Sequence, residues 1–403
     1  MQATTTLGGR PAAGGARDAA RVRPLGGLAF DWAMVALSGW GLLGLFADGW
    51  AHNHDGATLE SFFTPWHAAF YSGVTAVAAL TLVALWRNHA AGSPWRAALP
   101  DGYLPTLVGE GIFFVGGLGD LLWHELFGIE ANVEALLSPT HLTIAVGLGL
   151  IVGGPFRAVW RRGEIAGWAR QLPMLLSLTF VLSTLTFFLQ FAHPFERPLA
   201  LAGNRPAADT LPLVAPDPAL LLVDGALPAA DLVQAAGLSG LLLHTTLLAG
   251  LLLLVVRRWG ARLLPGALTL LVALNALGMA AMRDEWTLVP GALLAGLLAE
   301  LLLRALRPAA ARPRALRLFA AAVPALWAGG YFAALALAGG IWWSVHLWAG
   351  AIAMAGIAGW LLSYAFVPPA VPAEERLGPD TDRGFMRVSR KEGEEEYAQR
   401  SPG

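Results

Sequence analysis

Residues 29–67 read AFDWAMVALSGWGLLGLFADGWAHNHDGATLESFFTPWH, and residues 104–141 read LPTLVGEGIFFVGGLGDLLWHELFGIEANVEALLSPTH. Each stretch opens on about twenty predominantly apolar residues, the length a helix needs to cross ~30 Å of hydrocarbon at ~1.5 Å per residue. Each run ends in a few polar residues, and the next begins at Thr-Pro or Ser-Pro. The same alternation continues along the chain, so the expected fold is all-α, a polytopic membrane bundle of about ten transmembrane helices. The spacing predicts spans at 29–47, 65–86, 104–125, 139–160, 172–192, 234–256, 263–282, 288–306, 317–338 and 346–366. Only Arg283, Asp284, Glu285 and Trp286 separate the seventh from the eighth, so these two could instead form one re-entrant element.

Composition agrees. The 403 residues are 56% hydrophobic and 14% charged, against roughly 25% charged in soluble domains. No basic surface is available for nucleic acid. Cysteine is absent, which excludes disulfides, Fe–S clusters and thiolate metal sites and leaves any metal to His and carboxylates. No signal peptide is expected. Residues 1–25 and 368–403 read as disordered cytoplasmic tails, 26–168 as two repeated helical hairpins, and 169–367 as the remaining bundle, with loop 193–233 on the outer face.

Loop charge orients this map. Arg10, Arg17, Arg21 and Arg23 precede the first span. Arg87 and Arg96, then Arg157, Arg161, Arg162 and Arg170, then Arg257, Arg258 and Arg262, then Arg304, Arg307, Arg312 and Arg314 fill the even loops. The first, third and ninth loops hold no Lys or Arg. The positive-inside rule puts both termini in the cytoplasm and the odd loops outside, as expected in a bacterial inner membrane. On this map His52, His54, His67, His124, His141, His193 and His346 all fall at the outer side. His244 is mid-span, and His89 alone is cytoplasmic.

The outer histidines belong to an internal repeat. The first copy runs Asp48-x3-His52, then Glu60-x3-Thr64-Pro65-x-His67, and the second Asp120-x3-His124, then Glu134-x3-Ser138-Pro139-x-His141. Both copies join one helix to the next across the same face, a tandem, parallel duplication of a hairpin. Asp and His at i and i+4 share a helical face, about 6 Å apart at Cβ. Thr64 and Ser138 suit the N-cap, and Pro65 and Pro139 the first helical position. His67 and His141 then enter in the first turn, so each hairpin aims Asp48, His52 and His67, or Asp120, His124 and His141, at one point. Two His and a carboxylate suit zinc, iron or copper. Glu60 and Glu134 could complete or orient the ligand shell, and His54, His193 and His346 could add a ligand. Glu110, on the same side of its helix as His124, could relay protons, because an intramembrane carboxylate is costly. Gln190, Asn275 and His244 are expected to bridge helices, and Glu300 to snorkel toward the cytoplasm.

The two hairpins, about a quarter of the chain, resemble the C subunit of particulate methane and ammonia monooxygenases. That subunit carries an Asp-x3-His…His copper site and an adjacent Asn-x3-His…His site. The matching positions are Asp48, His52 and His67, then Asp120, His124 and His141; Asp120 stands where the family has Asn. This chain is also longer, and its Glu-x3-Ser/Thr-Pro-x-His element is not a feature of that family. The resemblance implies copper and a membrane oxidoreductase, monooxygenase-like, acting on a small or lipophilic substrate among membrane lipids, as a homo-oligomer or with other membrane subunits. The alternatives are a metal or small-solute transporter, and a zinc hydrolase similar to membrane ceramidases, whose paired His-x3-His this chain lacks.

Overall fold

A computed structural model describes residues 24–54, 63–128, 133–206 and 229–369. The described residues are helical, with only two isolated β-bridges. The first hairpin is α1 (Gly27–His54) and α2 (Pro65–Ala90). The second is α3 (Leu104–Phe127), a single turn α4 (Glu134–Leu137), then α5 (Pro139–Val152), which α6 (Gly154–Arg162) continues after a break at Gly153. There follow α7 (Trp168–Phe188), α8 (Ala229–Trp259), α9 (Ala267–Ala281), α10 (Val289–Leu306), α11 (Pro313–Ala338) and α12 (Val345–Phe366).

Among the described residues, nine helices are long and apolar enough to cross a membrane; α9, with 15 residues, is the shorter apolar one. It nevertheless joins the two ends of the bundle. Next to its start, the Gln171 amide at the foot of α7 donates to the Arg262 carbonyl, and the Leu268 amide donates to Glu300 near the end of α10. Past its other end, Asn53 at the tip of α1 donates to the Met282 carbonyl, and Asp284 meets His54. The turn of Arg283, Asp284 and Glu285 therefore lies at the end of the bundle where α1 finishes.

Packing divides the bundle into two apolar clusters. One is built mainly from α1, α2, α3 and α5, joined by Phe187 and Phe188 at the end of α7, and the other mainly from α7 to α12. Helix α7 packs on α1 and α5 on one side and α9 on the other. Within each hairpin small residues set the helix separation. A Cβ on Gly73 would lie 2.3 Å from the Gly41 nitrogen, and one on Gly147 would lie 2.7 Å from the Phe113 nitrogen. Backbone-to-backbone approach of this kind is how membrane helices associate where no hydrophobic driving force separates helix from lipid. It also lets short side chains near the hairpin tips reach each other.

Several polar groups differ from the sequence expectation. Glu300 does not snorkel: it is buried, accepts from Leu268 at the start of α9 and pairs with Arg304, because the orphan amides of a helix N-terminus offer it a better partner than the headgroup layer. His244 bonds the Gly240 carbonyl of its own helix rather than bridging helices. Gln190 lies beyond α7, in a 3-10 turn. Asn275 does bridge, donating to Ser183 and Thr186 of α7. At the end opposite the hairpin tips, buried Asp31 accepts from Tyr103 at 2.7 Å and pairs with Arg162, a charge cluster that no local sequence spacing announces.

Of the expected loop 193–233, residues 229–233 already form the start of α8, and 193–206 are described as loop. That part is strapped to the segment before α12, with the Ala202 amide on the Gly340 carbonyl and the Trp342 indole on the Leu199 carbonyl. Residues 207–228, and the tails 1–23 and 370–403, lie outside the described residues.

Candidate metal centre

The caps form as the sequence predicts. Thr64 Oγ accepts from the His67 amide at 3.0 Å, Ser138 Oγ accepts from the His141 amide at 3.3 Å, and each helix starts on its proline. These caps fix His67 and His141 in the first turns of α2 and α5, facing the last turns of α1 and α3. Two groups result: Asp48, His52 and His67, and Asp120, His124 and His141. In each group one ligand atom per residue lies within 4.8 Å of the others.

The first group is the more open. Asp48 is buried, His67 half-buried and His52 exposed. Both imidazoles present Nε2 to Asp48 Oδ2, at 3.8 Å for His52 and 3.4 Å for His67. The other carboxylate oxygen, Oδ1, is buried with no hydrogen-bond partner.

The second group is held more tightly. His124 presents Nε2 to Asp120 Oδ2 at 3.4 Å, while its Nδ1 meets the Gly128 carbonyl at 3.3 Å. His141 turns Nδ1 toward Asp120 Oδ1 at 3.6 Å and toward Ser138 Oγ at 2.7 Å. Thr140 Oγ donates to Asp120 Oδ1 at 2.8 Å. The residue at the matching place in the first hairpin is Trp66, whose indole gives Asp48 Oδ1 no such bond. This one difference accounts for one satisfied and one orphaned carboxylate oxygen.

The N···O separations bear on what the groups could hold. A charge-assisted hydrogen bond between imidazolium and carboxylate closes to about 2.7–2.9 Å. Four separations of 3.4–3.8 Å are longer than that. They match the edge of a tetrahedron with metal–ligand bonds of about 2.0–2.2 Å, which is roughly 3.4 Å. A His124 Nδ1–H donated to the Gly128 carbonyl would leave the Nε2 lone pair facing a carboxylate, an arrangement that needs a cation or proton between them. Such a carbonyl contact on the far nitrogen is also the usual support of a metal-ligating histidine. The donor set therefore fits a borderline metal ion in either group.

Tyr71 was not singled out by the sequence, although it lies one turn past His67 on α2. Its ring meets His67 edge-on at 6.2 Å, and a Cβ on Gly117 would lie 3.0 Å from its hydroxyl oxygen. Asp48 and Asp120 are both within electrostatic reach of its phenol, as His124 is of His52. Tyr71 thus stands between neighbouring groups. The signal was a polar ring at i+4 from a candidate ligand.

The other candidates lie elsewhere. Glu60 is outside the described residues. Glu134 is exposed on α4 and belongs to neither group. His54 stacks on Trp50 and pairs with Asp284 at 3.2 Å. His193 is buried against His244, with ring centroids 4.5 Å apart, and accepts from the Phe195 amide. His346 is exposed in the first turn of α12. Glu110 is buried in α3 with Oε1 unpartnered and the Thr81 hydroxyl of α2 beside it. The chain matches no known family, no curated protein and no solved structure.

Proposed function

We propose that this is an inner-membrane metalloprotein with two neighbouring Asp–His–His metal sites on its extracytoplasmic face, and that it works as a copper-dependent oxidoreductase of monooxygenase-like chemistry. The observation that carries the reading is the pair of hairpin tips whose N···O separations suit metal ligands better than hydrogen-bonded ion pairs. The matching polar positions of the two hairpins support a tandem duplication. The arginine distribution supports cytoplasmic termini. Copper is favoured over zinc or iron by the resemblance of the motif to the monooxygenase subunit.

Bound copper would supply one-electron redox chemistry and an open position for dioxygen or substrate. The chain's own residues have separate tasks. Asp48, His52 and His67 would hold one ion and Asp120, His124 and His141 the other. Thr140 and the Gly128 carbonyl orient ligands in the second group. Tyr71 would separate the groups, and Glu110, ten residues before Asp120 on α3, would take up or release a proton below the second.

The test is elemental analysis of the purified protein before and after copper loading, for wild type, His52→Ala, His124→Ala and the double variant. Two ions per chain are expected in wild type, about one in each single variant and none in the double. No metal in loaded wild type would sink the reading. Zinc retained in preference to copper, together with hydrolysis of lipid amides, would move it to the hydrolase alternative.

A further inference from the structure

A second feature lies at the end of the bundle opposite the hairpin tips and is independent of the metal reading. There the end of α6 meets the end of α8. The apolar run of α8 stops at Val256, and Arg257 and Arg258 follow it directly. Arg262 comes one turn later, in the 3-10 turn Gly260–Arg262. Arg258 donates to the Trp160 carbonyl at 3.2 Å and lies over the Trp160 ring, 5.3 Å from its centre. Arg262 donates to the carbonyl of Gly163, the left-handed residue that ends α6, at 3.4 Å. A Cβ on the same Gly163 would lie 3.7 Å from Arg258 Nη2. Two guanidinium groups therefore converge on one residue. Gln171 fixes the two segments that carry them, donating to the Ile165 and Arg262 carbonyls and accepting from the Leu264 amide.

The charges at this corner do not cancel. The neighbouring acids are already engaged: Asp31 by Arg162, Glu164 by Arg170, and Glu300 by Arg304, which also donates to Ala261 of the same turn. Among the described residues no carboxylate pairs with Arg258 or Arg262, and Arg161 and Arg257 add two further exposed cations. What the pair does meet is the carbonyl end of α6. A helix C-terminus carries about half an elementary negative charge, which cannot balance two guanidinium groups. Each guanidinium has five N–H donors in a fixed fork, and the carbonyl contacts use one from each. Both side chains are exposed, so the remaining donors face outward. Beside them Trp160 and Trp259 meet edge to face at 5.3 Å. Indole rings at the end of an apolar span mark the level of the lipid headgroups.

We propose that Arg258 and Arg262 bind an anionic phospholipid, its phosphate between the two guanidinium groups and its glycerol along Trp160. The planar guanidinium fork matches phosphate oxygens. A zwitterionic lipid brings its own ammonium, which four arginines repel, so the corner selects a head of net negative charge. Its place at the end of an apolar span favours a phosphate carried by a lipid over a soluble one.

The experiment titrates the full chain, stripped of lipid in detergent, with phosphatidylglycerol or phosphatidylcholine. Native mass spectrometry and the thermal midpoint read the result. One phosphatidylglycerol should bind saturably ahead of any other and raise the midpoint, and phosphatidylcholine should do neither. Arg258→Gln combined with Arg262→Gln should weaken that binding by about thirtyfold, the scale set by two arginines at an anionic surface. It should also abolish the rise in midpoint, while the midpoint in phosphatidylcholine stays close to wild type. Arg87→Gln combined with Arg96→Gln removes the same charge from exposed positions in another loop and should leave the binding unchanged. No preference for phosphatidylglycerol, or equal weakening in the two double variants, would overturn the proposal. A midpoint lowered alike in both lipids by the Arg258 and Arg262 changes would reduce the pair to a cap on α6. Displacement of the lipid by inorganic phosphate at matching concentration would overturn the lipid and give the pair to a soluble anion.

Discussion

Asp48 and Asp120 occupy matching places, yet only Asp120 has its Oδ1 satisfied, by Thr140. This difference sets two predictions. An orphaned buried carboxylate oxygen destabilises the metal-free protein, so Asp48→Asn should raise the thermal midpoint of chelator-treated protein. The same change removes an anionic ligand, so it should lower the midpoint once copper is added, because metal stabilises only as far as it binds the folded state. A change of the same sign under both conditions would count against a metal at Asp48. Thr140→Val should weaken only the second site, by about 10–100-fold, the usual cost of losing a group that orients a ligand, measured by competition with a chelator of known affinity. The two Asp–His–His groups were legible in the sequence because Asp and His at i and i+4 define a face whatever surrounds it. The Thr140 bond was not, because a residue between proline and histidine reads as a spacer until the hairpin closes. Outside the spans, burial raises Glu196 to about 7 despite Arg283, raises Glu285, and holds His193 well below its ordinary 6.5 with His244 adding to the effect. The stability Glu196 contributes is full below about 4.5 and is lost as pH rises through about 7. That from His193 is present above 6.5 and is lost as pH falls. The two slopes oppose each other between pH 4.5 and 6.5. Glu196→Gln should therefore give a thermal midpoint that climbs more steeply with pH across this window than wild type, and His193→Gln one that falls. Parallel profiles would refute the assignment.

Each hairpin depends on contacts between backbones well below its tip. At Gly73 an added Cβ would meet the Gly41 nitrogen at 2.3 Å, and at Gly147 it would meet the Phe113 nitrogen at 2.7 Å and the Gly109 oxygen at 2.8 Å. Neither obstacle is a side chain that can swing aside, so the helices must part. Overpacking of this kind costs about 1–3 kcal/mol, and the parting is felt at the tip, where the ligand atoms have little slack within 4.8 Å. Gly73→Ala should thus release metal from the Asp48 group and leave the Asp120 group loaded, and Gly147→Ala should do the reverse. Metal content near half of wild type in each variant, with the remaining ion sensitive to the opposite His→Ala change, is the expected result. Loss of both ions from either variant would mean that the two groups stand or fall together. The helices and their starts were readable because Thr64-Pro65 and Ser138-Pro139 carry capping chemistry in the sequence itself. The choice of which glycines touch was not, since the chain holds 47 of them and only helix pairing separates contacts from lipid-facing positions.

At the level of the bundle, α9 decides the topology. By length alone its 15 residues fall short of a span, which leaves nine qualifying helices among those described, and an odd count would put the termini on opposite sides. By its contacts it joins the end holding Gln171 and Glu300 to the end holding Asn53 and His54. Its about 22 Å of helix is extended by the 3-10 turns Gly260–Arg262 and Trp286–Leu288 on either side. The sequence could place the apolar run but not its reach, because reach depends on what the flanking turns bond to. Counted as a crossing, α9 makes ten and returns the chain to the side where it began, in agreement with the arginine-rich even loops. The prediction can be checked cleanly because the chain has no cysteine. Single cysteines at Phe63 and at Gly128, beside the two hairpin tips, and at Trp286, after the α9 turn, should all react with a membrane-impermeant maleimide in intact spheroplasts. Cysteines at Gly92 and Gly163 should react only after permeabilisation. If Trp286 reacted with the second set, α9 would be re-entrant and the chain would cross an odd number of times. If Phe63 and Gly128 reacted only after permeabilisation, the metal groups would face the cytoplasm and a copper site exposed to the extracytoplasmic side would have to be given up.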